Sequence, residues 1–301
     1  MKPMSANVRV RLCFAAIALS ASTILSAQHD AVPSKGSNPP PANYTAQFPI
    51  LGAGDGFSGP QGTFAYGPIP TDRPDANLAV GVTHLDGTGY YVQQVNAMYA
   101  VFEKNTNIVL QGPIPTHTPW ANANPNATVG CAVNPDRDGL VQYDRTYDRW
   151  IISGVSGPTD EWCFAVSQSS DPRGAYYVYS LNLGPNFPDY PKLGIWSGGY
   201  FVSFNVLQGS SKGSFIGPQV CAIDRAGAVA GTLTASGVEC FQLSPSDGHT
   251  LLPADEDGVV EPTGFPEYFI GLGNNRLNVW KFQPNFSSPS ASDLSGPTAI
   301  P

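Results

Sequence analysis

The chain has 301 residues, a formal net charge of −8 and a pI near 4.8. Charged residues make up only 13% of it and no Lys/Arg run follows residue 11, so it lacks the basic patch that nucleic acid or an anionic membrane surface requires. Glycine (32) and proline (29) are abundant, which fits a turn-rich, all-β exported protein.

Residues 1–27 read as a secretion signal. Lys2, Arg9 and Arg11 supply its positive region, and LCFAAIALSASTIL (Leu12 to Leu25) is an apolar core too short for a comfortable span. Small residues follow, so cleavage is expected after Ala27. The competing reading is an uncleaved membrane anchor. No other segment approaches ~18 uninterrupted apolar residues, so no membrane partner is expected after cleavage. Residues 28–59, with three consecutive prolines and little periodicity, read as an extended linker.

From residue 60 to 301 a loose repeat of short strands appears. The runs LAVGV, YYVQQVN, MYAVFEK and NIVLQGP form one unit. LVQYD, RWIISGV, CFAVSQS and YYVYSL form the next, within about 45 residues. Four antiparallel strands in that length are one blade of a β-propeller. The sequence therefore predicts an all-β fold, a propeller or open propeller-like array of about four four-stranded blades, roughly at 70–115, 131–183, 187–245 and 250–286. No substantial helix is expected after the signal. DRAGAVAG (Asp224 to Gly231), with two glycines in eight residues, reads as a strand and turn or one short helical turn.

Cleavage removes Cys13 and leaves Cys131, Cys163, Cys221 and Cys240. Four cysteines in an exported chain point to two disulfides, with three connectivities open. Cys131–Cys163 and Cys221–Cys240 are favoured because each pair falls within one blade. Zinc is disfavoured, since no Cys-x-x-Cys or nearby His is present.

The motifs DRPDANLAVGVTHLDGTGYYVQQVN, DGLVQYDRTYDRWIIS, CFAVSQSSDPRGAYYVYS, FPDYPKLGIW and LLPADEDG together resemble a family of bacterial exported β-propeller-like proteins, over roughly residues 70 to 301. The resemblance implies a propeller-like fold and no particular reaction. Such chains usually continue into further blades. With no closing strand in sight before Pro301, an N-terminal fragment is expected, whose missing C-terminal blades would be its partners. An open arc of four blades would leave two apolar sheet faces wet.

The candidate site residues are mostly aspartates. Asp75, Asp138, Asp189 and Asp257 open the four units and would converge at the mouth of a central channel. Carboxylates there could act as general acid and base or hold calcium. The simpler reading makes each a turn residue bonding local amides. Asn134 to Gly139 and Asp255 to Gly258 are weak calcium-loop matches, which puts Asp136, Asp138, Asp255 and Asp257 forward as calcium ligands. Ser167 to Tyr177 resembles the structural hairpin of sialidase-type propellers, with one residue too many between Asp171 and Gly174. Trp120 and Trp162 lie in loop-like contexts beside Asn and Asp and could stack on a sugar ring, although packing over a blade is favoured. His29, His84, His117 and His249 show no ligand spacing, and no nucleophile elbow or zinc-protease motif is present. The leading expectation is an exported binding module for carbohydrate or protein. The alternatives are a carbohydrate-active hydrolase or lyase using the channel-mouth carboxylates, and a structural part of a longer surface protein.

Overall fold

The computed structural model describes residues 76–82, 89–95, 97–104, 106, 108–256, 262 and 264–301, with two short strands at 63–64 and 67–68. The expected signal and nearly all of the linker lie outside these residues, as do Asp75, His84 and Asp257.

The fold is all-β. After β1 (Thr63–Phe64) and β2 (Gly67–Pro68), sixteen strands form four antiparallel sheets of four. The first sheet holds β3 (Ala76–Val82), β4 (Gly89–Val95), β5 (Met98–Glu103) and β6 (Val109–Pro115). The second holds β7 (Pro135–Asp144), β8 (Arg149–Ser156), β9 (Glu161–Ser167) and β10 (Tyr176–Asn182). The third holds β11 (Phe187–Trp196), β12 (Gly199–Leu207), β13 (Phe215–Asp224) and β14 (Val238–Gln242). The fourth holds β15 (Leu252–Pro253), β16 (Glu267–Gly273), β17 (Arg276–Gln283) and β18 (Asp293–Ile300). Strands pair in chain order within every sheet, as in a propeller blade. β3 lies against β7, β7 against β11 and β11 against β15, so the first strand of each sheet is innermost.

Three interfaces between sheets form the core. Tyr90, Val92, Tyr99 and Val101 of the first sheet meet Trp150, Ile152 and Ala165 of the second. The opposite face of the second sheet, with Trp162, Phe164 and Val166, packs on Phe187, Ile195, Tyr200 and Phe204 of the third. Phe201, Val220 and Phe241 of the third pack on Phe269, Trp280 and Phe282 of the fourth. Strand residues alternate between faces, so sheets with a neighbour on each side are apolar on both. That explains why β8, β9 and β12 are almost continuously buried.

One boundary differs from the sequence expectation. The last strand of the fourth sheet lies at Asp293–Ile300, beyond residue 286. Its sequence, DLSGPTAI, carries a Gly-Pro that breaks the β pattern, and its register with β17 shifts between Val279 and Lys281. Of the two readings of Asp224 to Gly231, the helical one holds: residues 225–230 form a short helix, α2, ended by Gly231 in the left-handed conformation. A second short helix, α1 (Thr118–Ala123), lies in the connector between the first two sheets.

Both disulfides have the favoured pairing. Cys131–Cys163 ties that connector to β9, and Cys221–Cys240 staples β13 to β14 directly across the ladder. They point to an oxidising environment. Among the described residues no helix is long and apolar enough to cross a membrane.

Candidate functional site

The site is built from bulges in two neighbouring innermost strands. The β7–β8 register shifts between Arg137 and Leu140, and the β11–β12 register shifts between Asp189 and Lys192. A bulge gives one strand extra residues against its partner and re-aims the side chains there. The bulged backbone turns left-handed at Asp138 (φ 48°) and Tyr190 (φ 51°), a conformation that is strained for tyrosine and that gathers at functional sites. Gly139 follows Asp138 because a Cβ there would collide with the buried Gln94 side chain. Asp138 Oδ2 accepts the Tyr190 N–H at 3.3 Å and joins the two bulges.

Around them lies a cavity of about 190 Å³ with a mixed polar and apolar lining of Asn77, Asp138, Gly139, Leu140, Tyr190, Pro191 and Lys192. Asn77 Oδ1 accepts the Val141 N–H at 2.8 Å, which fixes that carboxamide between β3 and β7. The Lys192 ammonium sits 3.5 Å from the Tyr190 ring centroid, a cation–π contact. Asp189 flanks the cavity, and its carboxyl is pushed up to about 6. Burial is the main cause and the Asp138 charge adds to it, while Arg137 and Lys192 pull the other way. A carboxyl that still holds a proton near pH 6, beside a second carboxylate and an ammonium, can donate, accept or transfer a proton.

The structure thus brings Asp138 and Asp189 close together, but they are not equivalent positions. Arg137 and Asp189 each precede their bulge, so Asp138 matches Tyr190. Aligning the units on Asp138 and Asp189 is therefore one residue out of register.

Asp255 lies elsewhere. Its Oδ1 accepts the Ile195 N–H at 2.7 Å, five residues further along β11 than Tyr190, which is roughly 15 Å in extended chain. Asp138 and Asp255 are therefore too far apart to share one calcium ion. The Asp136 side chain and Asp257 lie outside the described residues. Among the described residues no group of three or more His, Cys, Asp or Glu is placed to hold a metal.

At that far end of the innermost strands sits a buried ionic cluster that sequence reading missed. Arg225 (3% exposed) makes a bidentate pair with Asp144 (0%) at 2.8 and 2.7 Å and reaches Glu256 at 3.1 Å. Tyr200 donates to Asp144 Oδ2 at 2.8 Å, and the Thr146 and Tyr147 amides donate to Oδ1. Burial opposes the guanidinium's charge, yet Asp144 and Glu256 hold its pKa above the ordinary value. Fully satisfied and bridging three sheets, it is a structural pin. The DR dipeptide at 224–225 gives no sign of partners 81 and 31 residues away.

Trp162 is fully buried, stacked on Phe164 at 4.8 Å and edge-on to Phe204. It belongs to the core and cannot stack on a sugar, since the alternating pattern of β9 turns it inward. Trp120 is 4% exposed and donates its indole N–H to the Tyr179 carbonyl at 3.3 Å, docking α1 on β10.

No protein-family model and no curated protein matches the sequence. Among solved structures, a bifunctional GH43-CE protein of Bacteroides eggerthii aligns at 10% identity and TM-score 0.32, over 75% of this chain and 28% of its own. A family 117 glycoside hydrolase of Zobellia galactanivorans aligns at 10% identity and TM-score 0.33, over 76% and 69%. A Lactobacillus plantarum protein aligns at 13% identity and TM-score 0.28, over 75% and 70%. Likeness at this level carries no argument about chemistry, and the fold rests on the strand pairing itself.

Proposed function

We propose that the chain is an exported module that binds a hydroxyl-rich ligand, a carbohydrate, at the channel mouth. The observation that carries this reading is the placement of Asp138 beside Asn77 and Lys192 in one small cavity flanked by Asp189. Carboxylates accept hydrogen bonds from sugar hydroxyls, while the ammonium and carboxamide donate to sugar oxygens. The basic, apolar start of the sequence and the two disulfides support export.

The test is calorimetric titration of residues 28–301 with glucose, galactose, mannose and xylose, each as the free sugar and the methyl glycoside. At least one should bind, and Asp138→Asn and Asp189→Asn should each weaken it about tenfold or more, the cost of a lost charge-assisted hydrogen bond. Thermal unfolding of the variants would show that their folds persist. No heat with any of these sugars, or full affinity in both variants, would contradict the reading.

The raised pKa of Asp189 beside Asp138 favours a second reading, a hydrolase or lyase in which Asp189 supplies the proton. Release of nitrophenol from aryl glycosides between pH 4 and 8, abolished by Asp189→Asn, would establish it. Sugar binding without turnover would leave the module non-catalytic.

A further inference from the structure

A second cavity lies away from the mouth, under the connector that runs from Thr116 to Asn134. Two anchors hold this connector against the second sheet. Trp120 docks α1 on the Tyr179 carbonyl, and Cys131 is bonded to Cys163 of β9. The chain between the anchors arches over β10 and leaves a half-open cleft of about 530 Å³, within the size range of small-molecule sites.

The lining is divided. Val178 and the Trp120 edge form an apolar floor, which the Tyr179 backbone continues, while Asn124, Asn126 and Thr128 from the arch face Thr159 of the β8–β9 turn and Glu161 and Ser180 of the sheet. The Asn124 and Asn126 carboxamides make no hydrogen bond among the described residues and are available to a ligand. Glu161 is the one charged side chain in the lining. Its Oε2 accepts the Thr159 hydroxyl at 2.9 Å, which orients the carboxylate and leaves Oε1 to accept from elsewhere. Gly130 (φ 83°) lets the arch approach that carboxylate, since a Cβ there would stand 3.0 Å from Oε2.

We propose that this cavity is a second binding site, for a ring of a neutral oligosaccharide. An apolar floor under a rim of amides and hydroxyls matches the amphipathic faces of a sugar ring. One carboxylate with no Lys or Arg in the lining disfavours anionic ligands, so uronic-acid and sulfated sugars are excluded. The site shares no lining residue with the channel mouth and stands whether or not the mouth binds sugar.

The experiment follows amide NMR shifts of the intact, disulfide-bonded chain during titration with xylotriose, cellotriose and maltotriose, with trigalacturonate as the anionic control. At least one neutral trisaccharide should move the Thr128, Glu161 and Ser180 amides, and trigalacturonate should not. Glu161→Gln should weaken that binding about tenfold, by the worth of a hydrogen bond to a charged group. Asn126→Ala, at an exposed position that leaves the core untouched, should weaken it several-fold. Asp138→Asn should leave it unchanged. Three results would overturn the proposal: no shifts at these amides with any neutral probe, shifts of equal affinity in both rim variants, or equal binding of trigalacturonate. Shifts confined to the mouth and lost in Asp138→Asn would overturn the rim site and leave the proposed function standing.

Discussion

Glu267 is fully buried at the start of β16, where its Oε1 accepts the Ala254 N–H at 2.6 Å and its Oε2 has no partner among the described residues. Burial pushes its carboxyl up to about 9, the charges of Asp255 and Glu256 adding to the effect while the Ala254 and Tyr268 amides oppose it. The folded protein therefore keeps a proton that the unfolded chain releases above its ordinary value of 4.5. Stability is greatest below that value and falls as pH rises from about 4.5 toward 9. Glu267→Gln mimics the protonated side chain and keeps an acceptor for Ala254. Chemical denaturation at pH 5 and pH 8 should show a flatter pH dependence in the variant and a gain in stability at pH 8. An unchanged slope would place the ionised carboxylate in the folded state. None of this is legible in FPEYF, because a glutamate at a strand start looks solvent-facing until the third sheet is packed across it. The strands that carry Asp138 and Asp189 were legible as first strands of their sheets, because each is a short, mostly apolar run.

At the scale of the strand, the hairpins were readable because turn residues separate aromatic and β-branched runs. The bulges were not, nor was the match of Asp138 to Tyr190 across the two units. Close approach between sheets was hidden too. Gly81 on β3 lies against Trp150 on β8, so that an added Cβ would stand 2.5 Å from the indole Cζ2 and 2.7 Å from the Tyr143 ring. Trp150 is fully buried and donates its indole N–H to the Ser170 carbonyl at 2.8 Å, so it has little room to retreat. Gly81→Ala should cost about 1–3 kcal/mol, the usual penalty of overpacking, read as a lower denaturation midpoint and a shifted Trp emission. A neutral or stabilising outcome would mean that the first two sheets are less closely packed than described.

Across the whole molecule, three sheet-to-sheet cores explain why the repeat folds as an array and why a single unit would not bury its faces. The two end faces differ. On the first sheet Tyr91, Val95, Ala100 and Phe102 form a buried cluster on the side away from the second, so this face is not wet as the sequence led one to expect. On the fourth, Tyr268, Ile270, Leu272 (80% exposed) and Leu277 form an open apolar face, as an unpaired end blade should. Sheet number and order were legible from the four strand clusters. The inequality of the two ends was not, since both end strands carry similar apolar alternation.

Neighbouring blades bring Asp138 and Asp189 close enough that the Asp138 charge raises the Asp189 carboxyl. Carbon-detected NMR titration of the aspartate carboxyls tests it most directly. Asp189 should titrate near 6. In Asp138→Asn its value should fall, yet stay above 3.8 because burial, the larger cause, remains. An Asp189 that titrates near 3.8, or whose value is unmoved by Asp138→Asn, would contradict the account.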